Sequence, residues 1–156
     1  MILAVGLYKW LLFLHVVAAM LWVGGTALTS ALATVVARRG DRAAVEQFVS
    51  NLSRVGPLVM APATLGVVGF GIWLVLDSDA WDFGQTWIWL ALVLFAGAFV
   101  VGAAFQSRSA IAARRAAEAG DDAEASRQLD RWAWGSRAIL VLLLVAAWDM
   151  VFKPGL

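Results

Sequence analysis

The chain of 156 residues contains no cysteine and only one histidine. Without cysteine, disulfide bonds, thiolate metal sites and thiol-dependent catalysis are all excluded. A closed zinc or copper site also fits poorly, because one histidine and four methionines supply too few ligands unless carboxylates join them. The sequence therefore leaves little room for a metal ion held by protein side chains alone.

Charged residues are scarce as well: they make up 15% of the chain, against 62% hydrophobic residues and a mean hydropathy of +0.81. This is too apolar for a soluble domain of such a length. A helix needs roughly 20 apolar residues to cross a bilayer core of about 30 Å. Four stretches meet that requirement, at about 7–36, 56–76, 86–106 and 132–152. We therefore predict an all-α, integral membrane four-helix bundle that forms one transmembrane domain over residues 1–156 and contacts lipid, not nucleic acid.

Arginine is concentrated in two of the three connections between these stretches. Residues 38–54 and 107–131 hold most of the arginines, whereas residues 77–85 hold no basic residue but contain Asp77, Asp79 and Asp82. The positive-inside rule then places the Arg-rich connections in the cytoplasm and both termini outside. We expect a multi-pass membrane protein. The acidic connection is either a solvated loop or a site for a hard cation.

A cleavable signal peptide is an alternative interpretation of the N-terminus, because Ala31-Leu32-Ala33 resembles a cleavage site. A signal peptide has a basic n-region and an apolar core of about 7–15 residues. Here the basic region is missing, the apolar stretch is longer, and Arg38-Arg39 follow it. We expect the first stretch to remain as a membrane helix.

Two Gly-Asp pairs, Gly40-Asp41 and Gly120-Asp121, interrupt the Arg-rich segments. Glycine ends helices in a left-handed conformation and aspartate caps the next helix, with Glu124 placed to complete a capping box. The residues around the pairs are good helix formers. We predict two long helical hairpins, 1–76 and 86–153, whose helices extend into the cytoplasm and turn there.

Two prolines make the second helix irregular. Pro57 and Pro62 each remove a backbone hydrogen bond, so we expect a kink near Pro62. The third helix carries small residues at Gly97, Ala98 and Gly102, which permit close approach of a neighbouring helix.

Eight of the nine tryptophans lie near predicted membrane boundaries, where this residue is enriched. The ones expected at the outer interface are Trp10, Trp73, Trp81, Trp87, Trp89 and Trp148, and those expected at the inner interface are Trp132 and Trp134.

The single histidine, His15, lies about halfway along the first apolar stretch. Tyr8 precedes it by seven residues and Trp22 follows it by seven, so the three share one helix face. An ionisable ring at this depth costs free energy unless it finds a partner. It is either packed and hydrogen-bonded to another helix or a ligand of a cofactor. Haem b suits the second interpretation, because its iron needs only one strong protein ligand and Tyr8 and Trp22 would pack against the porphyrin.

Charged residues also meet near the predicted outer end. Asp149 and Lys153 are spaced four apart on the last helix, and Lys9 should lie at similar depth on the first. One interpretation is interfacial lysines reaching the surface beside a locally paired aspartate. The other is a cationic rim in which Lys9 and Lys153 bind haem propionates. A second axial ligand would then be Met150, Lys9 or His15 of another subunit.

A family resemblance rests on His15, Trp22 and Gly25, in the pattern H-x6-W-x-x-G, and on Phe152-Lys153-Pro154-Gly155 near the C-terminus. Over essentially its whole length the chain resembles a bacterial family of predicted four-helix integral membrane proteins of unassigned function. The signature is also similar to that of the bacterial membrane protoporphyrinogen oxidase family and, more distantly, of the membrane part of copper-resistance D proteins. These resemblances imply a four-helix membrane fold, and the oxidase family implies haem binding through the histidine that matches His15. Leu12 stands where that family usually has a lysine.

Two functional hypotheses follow. The first is a redox-active, oxidoreductase-like membrane protein that binds haem b through His15, which would bind a metal only as a ligand of the haem iron. The second is a non-enzymatic scaffold or accessory subunit whose Arg-rich hairpins contact a partner protein. Small-molecule or metal transport is a third hypothesis, although no span carries a paired charge near its centre. A homodimer through small-residue faces is compatible with each, and the sequence identifies no catalytic residue.

Overall fold

The computed structural model describes residues 2–155, with side chains from residue 6 onward. Its α-helices are α1 (Ile2–Arg39), α2 (Arg42–Val55), α3 (Ala61–Leu76), α4 (Thr86–Val100), α5 (Ser107–Glu118) and α6 (Asp122–Phe152). The π-helical turns Gly56–Met60 and Val101–Gln106 join α2 to α3 and α4 to α5 without a break. Four continuous helical rods result, and this part of the chain contains no β-strand.

All four rods are long and apolar enough to cross a membrane: Gly6–Arg39, Arg42–Leu76, Thr86–Glu118 and Asp122–Phe152. The four predicted spans lie within them, so the all-α membrane bundle is confirmed. The end of the bundle that carries residues 77–85 is called the loop end below. The opposite end, with the turns at Gly40 and Gly120, is called the Arg-rich end.

Both turns at the Arg-rich end are built by the predicted Gly-Asp pairs. Gly40 and Gly120 have φ angles of 64° and 79°, which only glycine adopts without strain. The Asp41 carboxylate accepts a hydrogen bond from the Ala43 N–H, and the Asp121 carboxylate accepts one from the Glu124 N–H. The capping-box prediction is wrong in its second half, because the Glu124 carboxylate binds the side chains of Arg127 and Gln128 instead.

A core of small side chains holds the Arg-rich end together. Its members are Ala33, Val45, Val49, Ala113, Ala117, Ala125, Leu129, Trp132 and Ala133. Alanine brings helix backbones close together, which favours dispersion contacts and interhelical hydrogen bonds in a membrane protein. One such bond joins the Ser30 hydroxyl to the Ala133 carbonyl oxygen at 3.3 Å, and another joins Arg137 to the Thr34 hydroxyl at 2.8 Å.

The interfacial prediction is wrong for Trp87 and Trp132, since both are buried. The indole of Trp132 meets the Phe48 ring edge-on at 5.9 Å inside the alanine-rich core. Trp87 packs edge-on against Trp81 at 5.3 Å. The other tryptophans expected at the interfaces are exposed or partly exposed.

The irregularity predicted near Pro62 takes the form of the π-helical turn Gly56–Met60, directly before that proline. A π turn absorbs the hydrogen bond that proline cannot make. The second π turn, Val101–Gln106, contains no proline and was not predicted. It packs against Gly135, where an added Cβ would lie 2.9 Å from the Phe105 ring and 3.1 Å from Gln106. The glycine therefore allows α6 to approach this turn closely.

The rods do not contact one another equally. Helix α6 packs against α1, α4 and α5, and α1 packs against α3 and α6. At the Arg-rich end α2 and α5 also meet, but no described Cα atom of α3 lies within 8 Å of one in α4. The second and third rods are therefore together at the Arg-rich end and apart at the loop end. We call the space between α3 and α4 the α3–α4 cleft.

Trp22 lies where this cleft begins. With Ala63, Ala98, Ile139 and Leu143 it forms a buried cluster drawn from all four rods. Its indole meets the Phe95 ring of α4 edge-on, with 5.6 Å between centroids. One large side chain thus bridges the first and third rods at mid-bundle.

The close approach at Gly135 can be tested by substitution. Gly135→Val should lower the unfolding free energy by about 1–3 kcal/mol, because its side chain overlaps Phe105 and Gln106. Thermal unfolding in detergent measures the change. Gly24→Val is the matched control, since a Cβ at Gly24 meets no atom within 4 Å. Equal melting temperatures for the two variants would contradict this packing.

Candidate functional site

His15 makes one hydrogen bond, which links α1 to α3. Its Nδ1 lies 2.9 Å from the carbonyl oxygen of Val67. A carbonyl oxygen only accepts hydrogen bonds, so Nδ1 carries the proton and donates it. Because a neutral imidazole has one N–H, the other nitrogen, Nε2, holds a lone pair.

That second nitrogen is available for binding. Within residues 6–155 no side-chain or main-chain group bonds to Nε2, and Nε2 is not among the buried unpartnered atoms. Metal-binding histidines commonly donate one ring N–H to a backbone carbonyl, which fixes the tautomer and aims the other nitrogen at the metal. The His15 ring has this arrangement in the described part of the chain.

Glycine on α3 makes room for the imidazole. A Cβ at Gly71 would lie 3.2 Å from the His15 Cε1 atom and 3.4 Å from Nδ1. One and a half turns earlier, a Cβ at Gly66 would lie 3.1 Å from the Ala18 Cβ. The two glycines bring α3 close enough to α1 for the Val67 carbonyl to reach the ring.

Side chains at the depth of His15 are more exposed than those two turns nearer the middle of the bundle. Trp22, on the same face of α1, is 7% exposed, and Leu143 on α6 is 8% exposed. One heptad nearer the loop end, His15 is only partly buried and Met150 is 36% exposed. The Ser30–Ala133 hydrogen bond sets the antiparallel register of α1 and α6, which places His15 level with about Trp148, two residues before Met150. His15 and Met150 therefore both lie toward the loop end, where α3 and α4 separate.

Aromatic residues close the loop end above this opening. The Trp81 indole N–H donates to the Tyr8 hydroxyl at 3.3 Å, and the Trp87 indole N–H donates to the Gln85 side chain at 3.0 Å. The Lys153 ammonium lies over the Trp81 ring, 4.1 Å from its centroid, and 5.6 Å from that of Trp87. We call Tyr8, Trp81, Trp87 and Lys153 the aromatic cap.

The expected ion pair between Asp149 and a lysine is absent. The Asp149 side chain is 0% exposed, and neither carboxylate oxygen has a hydrogen-bond partner in the described chain. Lys153 binds the tryptophans instead, because its ammonium lies on their rings, and Lys9 is exposed. The three ion pairs found among the described residues all lie at the Arg-rich end.

The acidic loop does not assemble a metal site. Asp77, Asp79 and Asp82 are exposed, and the Asp82 carboxylate accepts the N–H of Gly84 at 2.7 Å. Within the described residues no three histidine or carboxylate side chains converge. A surface groove of about 640 Å³ lies far from His15, between α5 and the start of α6 at the Arg-rich end.

The structure thus brings together some predicted site residues and separates others. His15, Trp22 and Tyr8 lie on one stripe of α1, and Met150 lies on α6 at nearly the depth of His15. Sequence reasoning missed the Val67 carbonyl and Gly71; the run of glycines at positions 66, 69 and 71 was the available signal.

These features define an integral membrane four-helix protein with one partly buried histidine near one end. The chain belongs to a family of unknown function described as predicted integral membrane protein (DUF2269), whose model matches residues 9–154. No curated protein and no solved structure matches the chain.

The close contact between Gly71 and the His15 ring can be tested by substitution. Gly71→Val should place a side chain against His15 and lower stability by about 1–3 kcal/mol, because the ring must shift away from the Val67 carbonyl. The readout is again thermal unfolding in detergent. Gly69→Val, on the same helix with nothing within 4 Å of an added Cβ, should have a much smaller effect. If Gly69→Val proves the more damaging variant, the described α1–α3 contact is incorrect.

Proposed function

We propose that this protein binds haem b in the α3–α4 cleft, with Nε2 of His15 as an axial ligand of the iron. The observation that carries the proposal is the Nδ1–H to Val67 hydrogen bond, which leaves a lone pair on an accessible Nε2. The bound group would supply one-electron transfer within the membrane.

The surroundings of His15 suit a flat apolar group. Trp22 and Phe95 form an aromatic floor at mid-bundle, and Tyr8 belongs to the cap above. By helix rise, Tyr8 and Trp22 are each about 10 Å from His15 along α1. Because no described Cα atom of α3 lies within 8 Å of one in α4, we propose that a porphyrin enters between these helices from the side without unfolding the bundle.

Met150 is our proposed second axial ligand. It lies on α6 at about the depth of His15, and its side chain is 36% exposed where Leu143, seven residues earlier, is buried. A thioether opposite an imidazole is a known haem ligation that raises the reduction potential. The alternative second ligands are Lys9 and His15 of a second copy. The Met150→Leu experiment below distinguishes ligation by Met150 from both.

The two lysines have different proposed roles. Lys9 is exposed near the loop end and is available to a propionate. Lys153 is held over Trp81 and Trp87, so we assign it to the aromatic cap and not to propionate binding.

The resemblance to the membrane protoporphyrinogen oxidase family supports haem ligation at His15 but not the oxidase reaction. Leu12 replaces the lysine expected three residues before the histidine, and no lysine lies between Lys9 and Lys153. We also propose that the Arg-rich end faces the bacterial cytoplasm, as the positive-inside rule requires. The His15 site then lies toward the outer face of the inner membrane.

The visible spectrum tests haem binding directly. Protein purified in detergent from cells supplied with haem should show a Soret band, and His15→Ala should lose it because Nε2 is the proposed iron ligand. Leu14→Ala, an exposed neighbour on α1, is the matched control and should keep the band.

Two results would contradict the proposal. One is colourless wild-type protein that gives no saturable spectral change when haem is added. The other is a Soret band that His15→Ala leaves unchanged. Colourless protein that purifies with a defined partner would favour the scaffold hypothesis, in which His15 only joins α1 to α3.

The second ligand is tested separately. Met150→Leu should keep haem but shift the spectrum from a six-coordinate low-spin to a five-coordinate high-spin type, because leucine cannot bind iron. An unchanged spectrum would show that Met150 is not a ligand, without affecting the assignment of His15.

A further inference from the structure

Asp149 is a buried carboxylate that the proposed haem site does not use. It is fully buried near the end of α6, and both of its oxygens are without a hydrogen-bond partner in the described chain. Burying an ionised carboxylate without a partner costs several kcal/mol or more. Ionisable residues inside membrane helices mark functional sites for that reason.

The position of Asp149 on its helix adds to the negative potential. Helix α6 ends at Phe152, so Asp149 belongs to the last turn, where the helix dipole is negative. The last four carbonyl groups of a helix have no partner within the helix. Here the Asp149 carbonyl accepts the Lys153 N–H at 2.8 Å, which leaves the carbonyl groups that follow it without that bond. A carboxylate and a helix C-terminus together attract a cation.

The chain does not place its own cation on this carboxylate. Lys153 is one turn away, but its ammonium lies 4.1 Å from the centroid of the Trp81 ring and makes no ion pair with Asp149. One ammonium cannot occupy both positions. With Lys153 on the tryptophans, the negative charge of Asp149 is left uncompensated.

The number of ligands indicates which cation would fit. Asp149 is a single carboxylate, and among the described residues no second histidine or carboxylate joins it in a cluster of metal ligands. Calcium and transition metals need more anionic or nitrogen ligands than this. One carboxylate with helix carbonyl groups matches a single positive charge.

We propose that Asp149 and the C-terminal turn of α6 form a binding site for one monovalent cation, closed by the aromatic cap. Lys153 holds the cap in place through Trp81 and Trp87 while the cation compensates Asp149. The proposed cation site uses neither His15 nor the α3–α4 cleft and shares only the aromatic cap with the proposed haem site.

Ion-dependent stability tests the site. The wild-type protein in detergent should melt at a higher temperature in sodium, potassium or lithium chloride than in N-methylglucamine chloride of equal ionic strength. A ligand that binds only the folded state raises stability with its concentration. At a tenfold excess over the dissociation constant we expect a rise of roughly 3–6 °C. The preferred ligand is the cation that raises the melting temperature at the lowest concentration.

Matched variants connect the effect to Asp149. Asp149→Asn should abolish the difference between cations, whereas Asp79→Asn, an exposed aspartate at the same end, should retain it. Lys153→Met should raise the cation concentration needed for half the effect, because it removes the ammonium that holds Trp81 and Trp87 in the cap. This variant keeps the test informative if Asp149→Asn does not fold.

A melting temperature that does not depend on cation identity in the wild type would overturn the proposal, and the carboxylate would then be buried in its neutral form. An effect that persists unchanged in Asp149→Asn would overturn it too, because the cation would bind elsewhere. An effect in Lys153→Met that needs the same or less cation than in the wild type would contradict the assigned role of the lysine.

Discussion

The packing of one large side chain at mid-bundle constrains the rest of this structure. Trp22 extends from the first rod to the third and meets Phe95, while alanines of the second and third rods and Ile139 and Leu143 of the fourth pack around it. Toward the Arg-rich end, alanines let all the rods approach one another. Toward the loop end, α3 follows α1 and α4 follows α6, so the second and third rods separate. The α3–α4 cleft is the consequence of that separation.

His15 and Asp149, two ionisable residues in this half of the bundle, differ in their hydrogen-bond partners. His15 has a partner on Nδ1, and no described group bonds to its Nε2. Asp149 has no hydrogen-bond partner among the described residues, although a lysine lies one turn away on the same helix. Lys153 instead stabilises the aromatic cap through cation–π contacts. Such contacts are more stabilising when they are shielded from water. The loop end therefore holds a hydrogen-bonded histidine and a carboxylate without a described hydrogen-bond partner, both near the aromatic cap.

Local chemistry explains which features the sequence predicted. Helix length follows from apolar composition, the turns at Gly40 and Gly120 follow from glycine and aspartate capping, and the shared face of Tyr8, His15 and Trp22 follows from helical periodicity. The partner of His15 is a main-chain oxygen, which leaves no mark in a sequence. The choice of Lys153 between Asp149 and two indoles depends on how the rods pack, as does the π turn at Val101–Gln106. These features required the tertiary structure.

The central claim is that His15 donates through Nδ1 and keeps Nε2 as a free lone pair. Nitrogen-15 NMR of selectively labelled histidine tests it in the purified protein without added haem, and the spectrum is unambiguous because the chain has a single histidine. The account predicts one neutral tautomer, with the proton on Nδ1 and a slowly exchanging hydrogen bond. A proton on Nε2, or rapid averaging of both tautomers, would contradict it.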